Sequence, residues 1–201
     1  MSEFFIETER MILRPLRMDD VDDLYEYQSH PEIVRYIPWP ERSREQVIEA
    51  LEKHAPDSKS ELREDGDYLL LAWELKDLTD DQKYSKTTAV DNYRPGKVIG
   101  QSNARYESSR DSLADIGWVT HQDFQRQGFA LEATQALMAH IFNGSAVRRL
   151  IANIDTRNPE SAKLAEKLGM RREGEFKEAE FFKGEWCSMW LYAILTSEFK
   201  A

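Results

Sequence analysis

A single cysteine, Cys187, occurs among the 201 residues. No intramolecular disulfide, zinc knuckle or CxxC redox pair can therefore form, and a reducing cytoplasm is the expected compartment. Long apolar runs are also missing: none approaches the ~18 residues of a membrane span. The first ten residues, MSEFFIETER, lack the basic start and small-residue cleavage site of a secretory signal, so neither a membrane nor an export role is expected. Positive charge is in deficit, with 27 Lys and Arg against 37 Asp and Glu and a net charge of −10. Such a field repels phosphate backbones and anionic lipid, which disfavours nucleic-acid binding and suits a cationic partner. A Gly-Lys-Ser/Thr phosphate loop and a G-x-G-x-x-G fingerprint are both absent, which disfavours nucleoside triphosphates and nicotinamide cofactors. No internal repeat or linker interrupts the chain. Its length suits one domain over 1–201, large enough to bury a core without covalent staples.

What is present alternates in period. Met11 to Leu16 reads as a strand, and from Asp19 Val21, Leu24 and Tyr25 repeat at helical spacing. Ser43, with Gln46 three residues on, starts a second helix whose apolar face is Val47, Ile48 and Leu51. Tyr68 to Leu75 is a nearly continuous apolar strand, and Lys76 to Gly96 reads as an exposed insertion loop. Val98 to Tyr106 and Ala114 to Val119 form a hairpin around the polar turn 107–112. From Phe129 the helical period returns through Leu137, Ile141 and Phe142. A strand over Arg149 to Asp155, a helix opening at Pro159 and stopping at Gly169, and aromatic terminal strands complete the pattern. This order predicts an α/β (α+β) sheet with helices packed on it.

Gln125, Arg126, Gln127, Gly128, Phe129 and Ala130 join a predicted strand to the start of the Phe129 helix. Unpaired N–H groups and the positive end of the helix dipole make that junction an anion site, and Gly128 removes the Cβ that would block a phosphate. Asn158-Pro159-Glu160-Ser161 opens the next helix, which ends in Glu166-Lys167-Leu168-Gly169-Met170-Arg171-Arg172-Glu173-Gly174. Taken together, at this spacing, the two blocks resemble the GNAT superfamily of acyl-coenzyme A dependent N-acetyltransferases. The stretches ETERMILRPLRMDDVDDLYEY, ADIGWVTHQDFQRQGFALEATQALMAHIF, NPESAKLAEKLGMRREG and FFKGEW are most similar to its ribosomal-protein N-terminal (RimJ/RimL-like) branch.

The resemblance implies a GNAT-like mixed sheet whose splayed central strands form a coenzyme A cleft. It implies that Gln125, Arg126, Gln127, Gly128, Phe129 and Ala130 hold the coenzyme pyrophosphate through main-chain amides. Trp118, Val119 and Thr120 would pair with the pantetheine arm as with an added strand, and Asn158 would hold it from the other side. The implied reaction is transfer of an acetyl group from acetyl-coenzyme A to a primary amine, a protein N-terminus or a small amine, in a ternary complex without metal. Such a reaction needs a proton acceptor for the amine, donors for the oxyanion and an acid for the leaving thiolate. Backbone N–H groups near Trp118 and Val119 are the expected donors.

The tyrosine that much of the superfamily uses as acid is here Ala165, and the branch's serine falls at Ser161. Asp115, two residues before Gly117, is the preferred base over Glu107 and over His121, which reads as a surface histidine. The acceptor is expected against the first two helices and the Ile33–Arg42 loop, near Tyr36, Trp39 and an acidic rim of Asp19, Asp20, Asp22 and Asp23. Trp186, Met189, Trp190 and Tyr192 read as core, Cys187 as a small buried side chain, and Ser188 stands where the branch tends to have an aspartate. The late aromatic strands offer a homodimer surface. A larger donor such as succinyl-coenzyme A, or a non-catalytic coenzyme sensor, are the competing readings.

Overall fold

The computed structural model describes residues 4–79 and 92–200. An eight-stranded sheet runs in the order β1-β2-β3-β4-β5-β6-β8-β7. Its strands are β1 (Ile6–Glu7), β2 (Met11–Pro15), β3 (Tyr68–Leu75), β4 (Val98–Ser108), β5 (Leu113–Thr120), β6 (Arg149–Asp155), β7 (Arg171–Phe182) and β8 (Glu185–Leu195). Every neighbouring pair is antiparallel except β5 and β6. A parallel pair needs a crossover, and the 16-residue helix Phe129–Gly144 supplies it.

In chain order the helices are α1 (Val21–Gln28), α2 (Pro31–Val34), α3 (Arg44–His54), α4 (Phe129–Gly144) and α5 (Pro159–Lys167). Two cores result. On one face Leu24, Tyr27, Val47 and Leu51 from α1 and α3 pack on Ala72, Val98 and Val119 of the sheet. On the other Ala133, Leu137, Ile141 and Ala165 from α4 and α5 pack on Leu71, Ile116, Leu150 and Ala152. Both helix starts expected from capping signals are present. Gln46 N–H donates to Ser43 Oγ at 3.3 Å while Ser43 N–H donates to Gln46 Oε1 at 2.8 Å. At α5, Ser161 N–H donates to Asn158 Oδ1 at 3.1 Å, with Pro159 at the first helical position.

Of the acidic run at the start of α1, Asp19 and Asp22 are exposed but Asp20 and Asp23 are not part of a rim. Asp20 is buried and takes two hydrogen bonds from Arg14, at 2.8 and 2.7 Å, while Arg14 also pairs with Glu74. Asp23 is likewise buried, accepting from Arg94 at 2.6 Å and from Val98 N–H at 2.8 Å. These carboxylates tie α1 to β2, β3 and β4, because a desolvated charge must find a partner. One aromatic expectation also changes: Trp186 is 61% exposed and stacks edge-on against Phe181, 60% exposed, at the tip of the β7–β8 hairpin. Met189 and Tyr192 are buried, as is Cys187. Of the 76–96 loop, residues 80–91 lie outside the described residues. Its flanks are docked, with Leu78 N–H donating to Tyr93 Oη at 2.7 Å. Among the described residues no helix is long and apolar enough to cross a membrane.

Candidate active site

Strands β5 and β6 pair only at Leu113, Ala114 and Asp115, against Arg149, Leu150 and Ile151. Beyond that point β5 continues to Thr120 and β6 to Asp155 without pairing, so the sheet opens as a fork. His121 N–H donates to Ile99 C=O at 2.8 Å, and the β4–β5 register is unbroken from Thr120 back to Ala114. Antiparallel alternation therefore spends the backbone of Val119, Gly117 and Asp115 on β4 and turns that of Ile116, Trp118 and Thr120 into the fork. Of the residues expected to pair with an extended ligand, Trp118 and Thr120 present backbone and Val119 presents its side chain. The Thr120 carbonyl already receives Gln125 Nε2 at 3.3 Å. Of the two N–H groups near which the oxyanion donor is expected, that of Trp118 faces the fork and that of Val119 faces β4.

At the far end of β5 the chain turns into α4. Gly128 caps that helix with φ +84°, and Arg126 also has positive φ, at 61°. The first N–H groups of α4 have no acceptor within the helix, so they stand free at its positive end. Phe129 is buried and Arg126 and Gln125 are exposed, which leaves the main chain as the common surface of 125–130. The turn is braced from behind by Arg10, which no local sequence signal marked. Its Nη1 donates to Gln127 C=O at 2.9 Å, its Nε pairs with Glu132 at 2.7 Å, and its guanidinium lies 4.1 Å from the Phe129 ring centre. Gln127 Nε2 closes the loop onto Asp123 C=O at 2.7 Å.

A cleft of about 830 Å³ occupies the fork and the sheet face under α1 and α3. Trp118, Val119, Asn158, Ser161 and Asp115 all line it, so the structure brings together residues spread over 46 positions of sequence. The alternation also places Asp115 on the acceptor face, where Asn153 Nδ2 donates to its Oδ2 at 3.0 Å. Burial pushes the Asp115 carboxyl up to about 7, opposed by the Asn153 hydrogen bond and reinforced by the negative charges of Glu107 and Glu180, which also line the cleft. A carboxyl that titrates near neutrality is suited to exchanging a proton with an amine.

The other base and acid candidates sort by position. His121 is fully buried, its Nε2 2.9 Å from Glu26 and its Nδ1 accepting from Asp123 N–H at 3.2 Å. Burial holds its pKa below the usual histidine value, and it does not line the cleft, so it is a fixed strut rather than the surface group expected. Glu107 sits in the cleft as an exposed carboxylate. Ala165 is fully buried beneath α5. Ser161, one turn earlier, is in the cleft. Ser188 accepts from Glu178 N–H at 3.1 Å, which holds the bulge of β7. Tyr36 and Trp39, near which the acceptor is expected, line the cleft together with Gln28, Arg42, His54 and Gln101.

Comparison with known proteins points to one family. The family described as acetyltransferase (GNAT) domain matches residues 10–171. An uncharacterized N-acetyltransferase of Bacillus subtilis, YnaD, is 27% identical over 96% of this chain and 98% of its own length. The ribosomal-protein-serine acetyltransferase of Escherichia coli is 29% identical, but over only 50% of this chain and 56% of its own. Among solved structures, a GNAT-family acetyltransferase from Bacillus anthracis superposes with a TM-score of 0.77 at 25% identity, covering 97% of this chain and all of that one.

Proposed function

Because this chain belongs to the GNAT acetyltransferase domain family, we propose that it moves an acetyl group from acetyl-coenzyme A to a primary amine bound across the same cleft. The observation that carries the reading is the fork: an open β5 edge leads from a near-neutral carboxyl at Asp115 to the free N–H groups at the start of α4. A coenzyme of strand-like arm and doubly charged pyrophosphate fits that path. The backbone of Trp118 and Thr120 pairs with the arm, Val119 packs beside it, and Asn158 meets it from α5. The turn Gln125, Arg126, Gln127, Gly128, Phe129 and Ala130 cradles the pyrophosphate with no Cβ at its apex.

Bound acetyl-coenzyme A supplies an activated thioester carbonyl. Asp115 takes a proton from the ammonium, directly or through water, leaving the lone pair that forms the new C–N bond. The Trp118 N–H steadies the oxygen as negative charge develops on it, and the carbon–sulfur bond then breaks. Ser161 passes a proton to the departing thiolate and regains one from the newly attached nitrogen, which sheds its second proton, in the role a tyrosine at position 165 would fill. Ser161→Ala should lower kcat by about tenfold, at the weak end of general-acid effects because a coenzyme thiolate is already a fair leaving group. An unchanged kcat would return Ser161 to a plain helix-start residue. The serine, together with the partial similarity to the Escherichia coli enzyme, favours a protein N-terminus or another α-amine as acceptor. A cytoplasmic setting suits the single free thiol.

Thermal unfolding with acetyl-coenzyme A, succinyl-coenzyme A and free coenzyme A tests the donor. At ~100 times its dissociation constant a ligand bound only by the folded state adds about 2.7 kcal/mol, several degrees for a chain of this size. A shift largest with the acetyl form supports the reading. A shift largest with the succinyl form replaces the donor, and no shift overturns the coenzyme site.

A further inference from the structure

Arg42 is the exception among the partly buried arginines. Arg10, Arg149 and the still more buried Arg14 each hold a carboxylate. Arg42 lines the acceptor end of the cleft, and among the described residues its side-chain partners are an amide oxygen and an aromatic ring. Its Nη1 donates to Gln28 Oε1 at 2.7 Å, and its guanidinium lies 4.7 Å from the Trp39 ring centre. Gln28 is itself fixed, donating to Gln101 Oε1 at 3.0 Å, which also accepts from Tyr27 Oη at 2.9 Å. One of five N–H donors is thus used to hold the guanidinium still, and the fork of the others remains for a ligand. Burial pulls the Arg42 pKa down, with no acid beside it to offset the cost. His54, on the same wall, is also lowered, first by burial and then by the positive charges of Lys53 and Arg42.

This positive end is unusual in a chain of net charge −10. The opposite end of the cleft carries Asp115, Glu107 and Glu180. Gln101 pairs with Val119, four residues or roughly 13 Å of strand from Asp115 at ~3.3 Å per residue, and Arg42 reaches Gln101 through Gln28, so the two poles lie apart along the cleft. Resting on the acyltransfer reading above, we propose that the acceptor is an amine bearing an anionic group, carboxylate or phosphate, and that Arg42 holds this group while the amine lies at Asp115. The spacing suits a short extended peptide or an aminoacyl compound with its anion on the order of 10 Å from the amine. A polyamine, which would place a second cation against Arg42, does not suit it.

The test is coenzyme thiol release from acetyl-coenzyme A with four acceptors: a tripeptide with a free C-terminal carboxylate, the same tripeptide as its amide, an aminoalkyl phosphate of equal length, and spermidine. In the wild-type protein kcat/KM should favour the tripeptide acid or the phosphate over the amide by about ten- to a hundredfold, the range for a charge-assisted hydrogen bond. The larger of the two ratios identifies the anion. Arg42→Gln should bring the acid-to-amide ratio close to one, and Arg42→Lys should keep part of it. The temperature shift with acetyl-coenzyme A checks that each variant is folded. No preference over the amide for either the acid or the phosphate, a preference that survives Arg42→Gln, or a preference for spermidine overturns the anion subsite and leaves the acyltransferase standing. Coenzyme binding without thiol release from any of the four overturns the acyltransfer reading, and this inference falls with it.

Discussion

Asp115→Asn should lower kcat by a factor of about 10² to 10⁴, the range for loss of a positioned general base, while the temperature shift with acetyl-coenzyme A persists. The asparagine keeps the shape and the contact with Asn153 but cannot take a proton. With Asp115 titrating at about 7, the wild-type rate should rise with pH through neutrality and level off above it. That limb should vanish in the variant. An α-amine, whose usual pKa is near 8, lies within about one unit of such a base, whereas a lysine-like amine near 10 lies about three units away. The position of Asp115 therefore favours α-amines as well as enabling them. Wild-type turnover in Asp115→Asn would remove the carboxyl from the mechanism.

The same substitution has a second signature in stability. The folded carboxyl holds its proton up to about 7, while an unfolded aspartate releases it near 3.8. Its contribution to stability is therefore complete below about 3.8 and is lost as pH rises towards 7. Above that, the ionised group burdens the fold, and asparagine relieves it. Asp115→Asn should melt a few degrees higher than wild type at pH 8, about 1 to 2 kcal/mol once partial solvent access is allowed for, and with no gain at pH 4. A more stable but inactive protein is the expected mark of a carboxylate kept for chemistry.

What the chain reveals as a string of letters is local. The capping box at Ser43, the N-cap at Asn158, the glycine ahead of α4 and the apolar run of β3 each depend on a few neighbouring residues, and the folded chain keeps them all. A strand, a crossover helix and a second strand imply a parallel pair, but its opening into a fork is expected only from the family resemblance. What escapes is set by distance in sequence. Arg10 braces a turn 117 residues away, and no periodicity announces it. Asp20 and Asp23 look like a solvated helix face until Arg14, Arg94 and the Val98 N–H arrive from elsewhere to neutralise them. His121 appears as an isolated loop residue, yet Glu26 on α1 pulls it inside. Charge counted along a chain is thus a poor guide to charge presented by a cleft: half of the acidic run, Asp20 and Asp23, faces inward, and Arg42 is one basic residue among 27 in the sequence.

Gly128→Glu carries the other large effect, and it falls on coenzyme affinity rather than on turnover of bound substrate. Gly128 sits at φ +84°, where any side chain costs about 1 kcal/mol or more, and an added Cβ would stand 3.3 Å from Arg10 Nη2. Arg10 can swing by a few tenths of an ångström, so the backbone cost is modest and the unliganded protein should still fold. A glutamate here also places negative charge at the start of α4, where it complements the helix dipole and Arg10 in the free protein. The pyrophosphate needs the same N–H groups and brings charge of the same sign. Its binding should weaken by at least about a hundredfold, the combined effect of lost charge-assisted hydrogen bonds and repulsion. The temperature shift with acetyl-coenzyme A should disappear at concentrations that saturate the wild type. Gly66→Glu separates the two causes, since Gly66 has the same left-handed backbone, φ +89°, with nothing within 4 Å of an added Cβ and no place in the cleft. That variant should lose similar stability and keep full coenzyme affinity. If Gly128→Glu binds acetyl-coenzyme A as the wild type does, the turn at 125–130 only starts a helix, and the pyrophosphate must lie elsewhere.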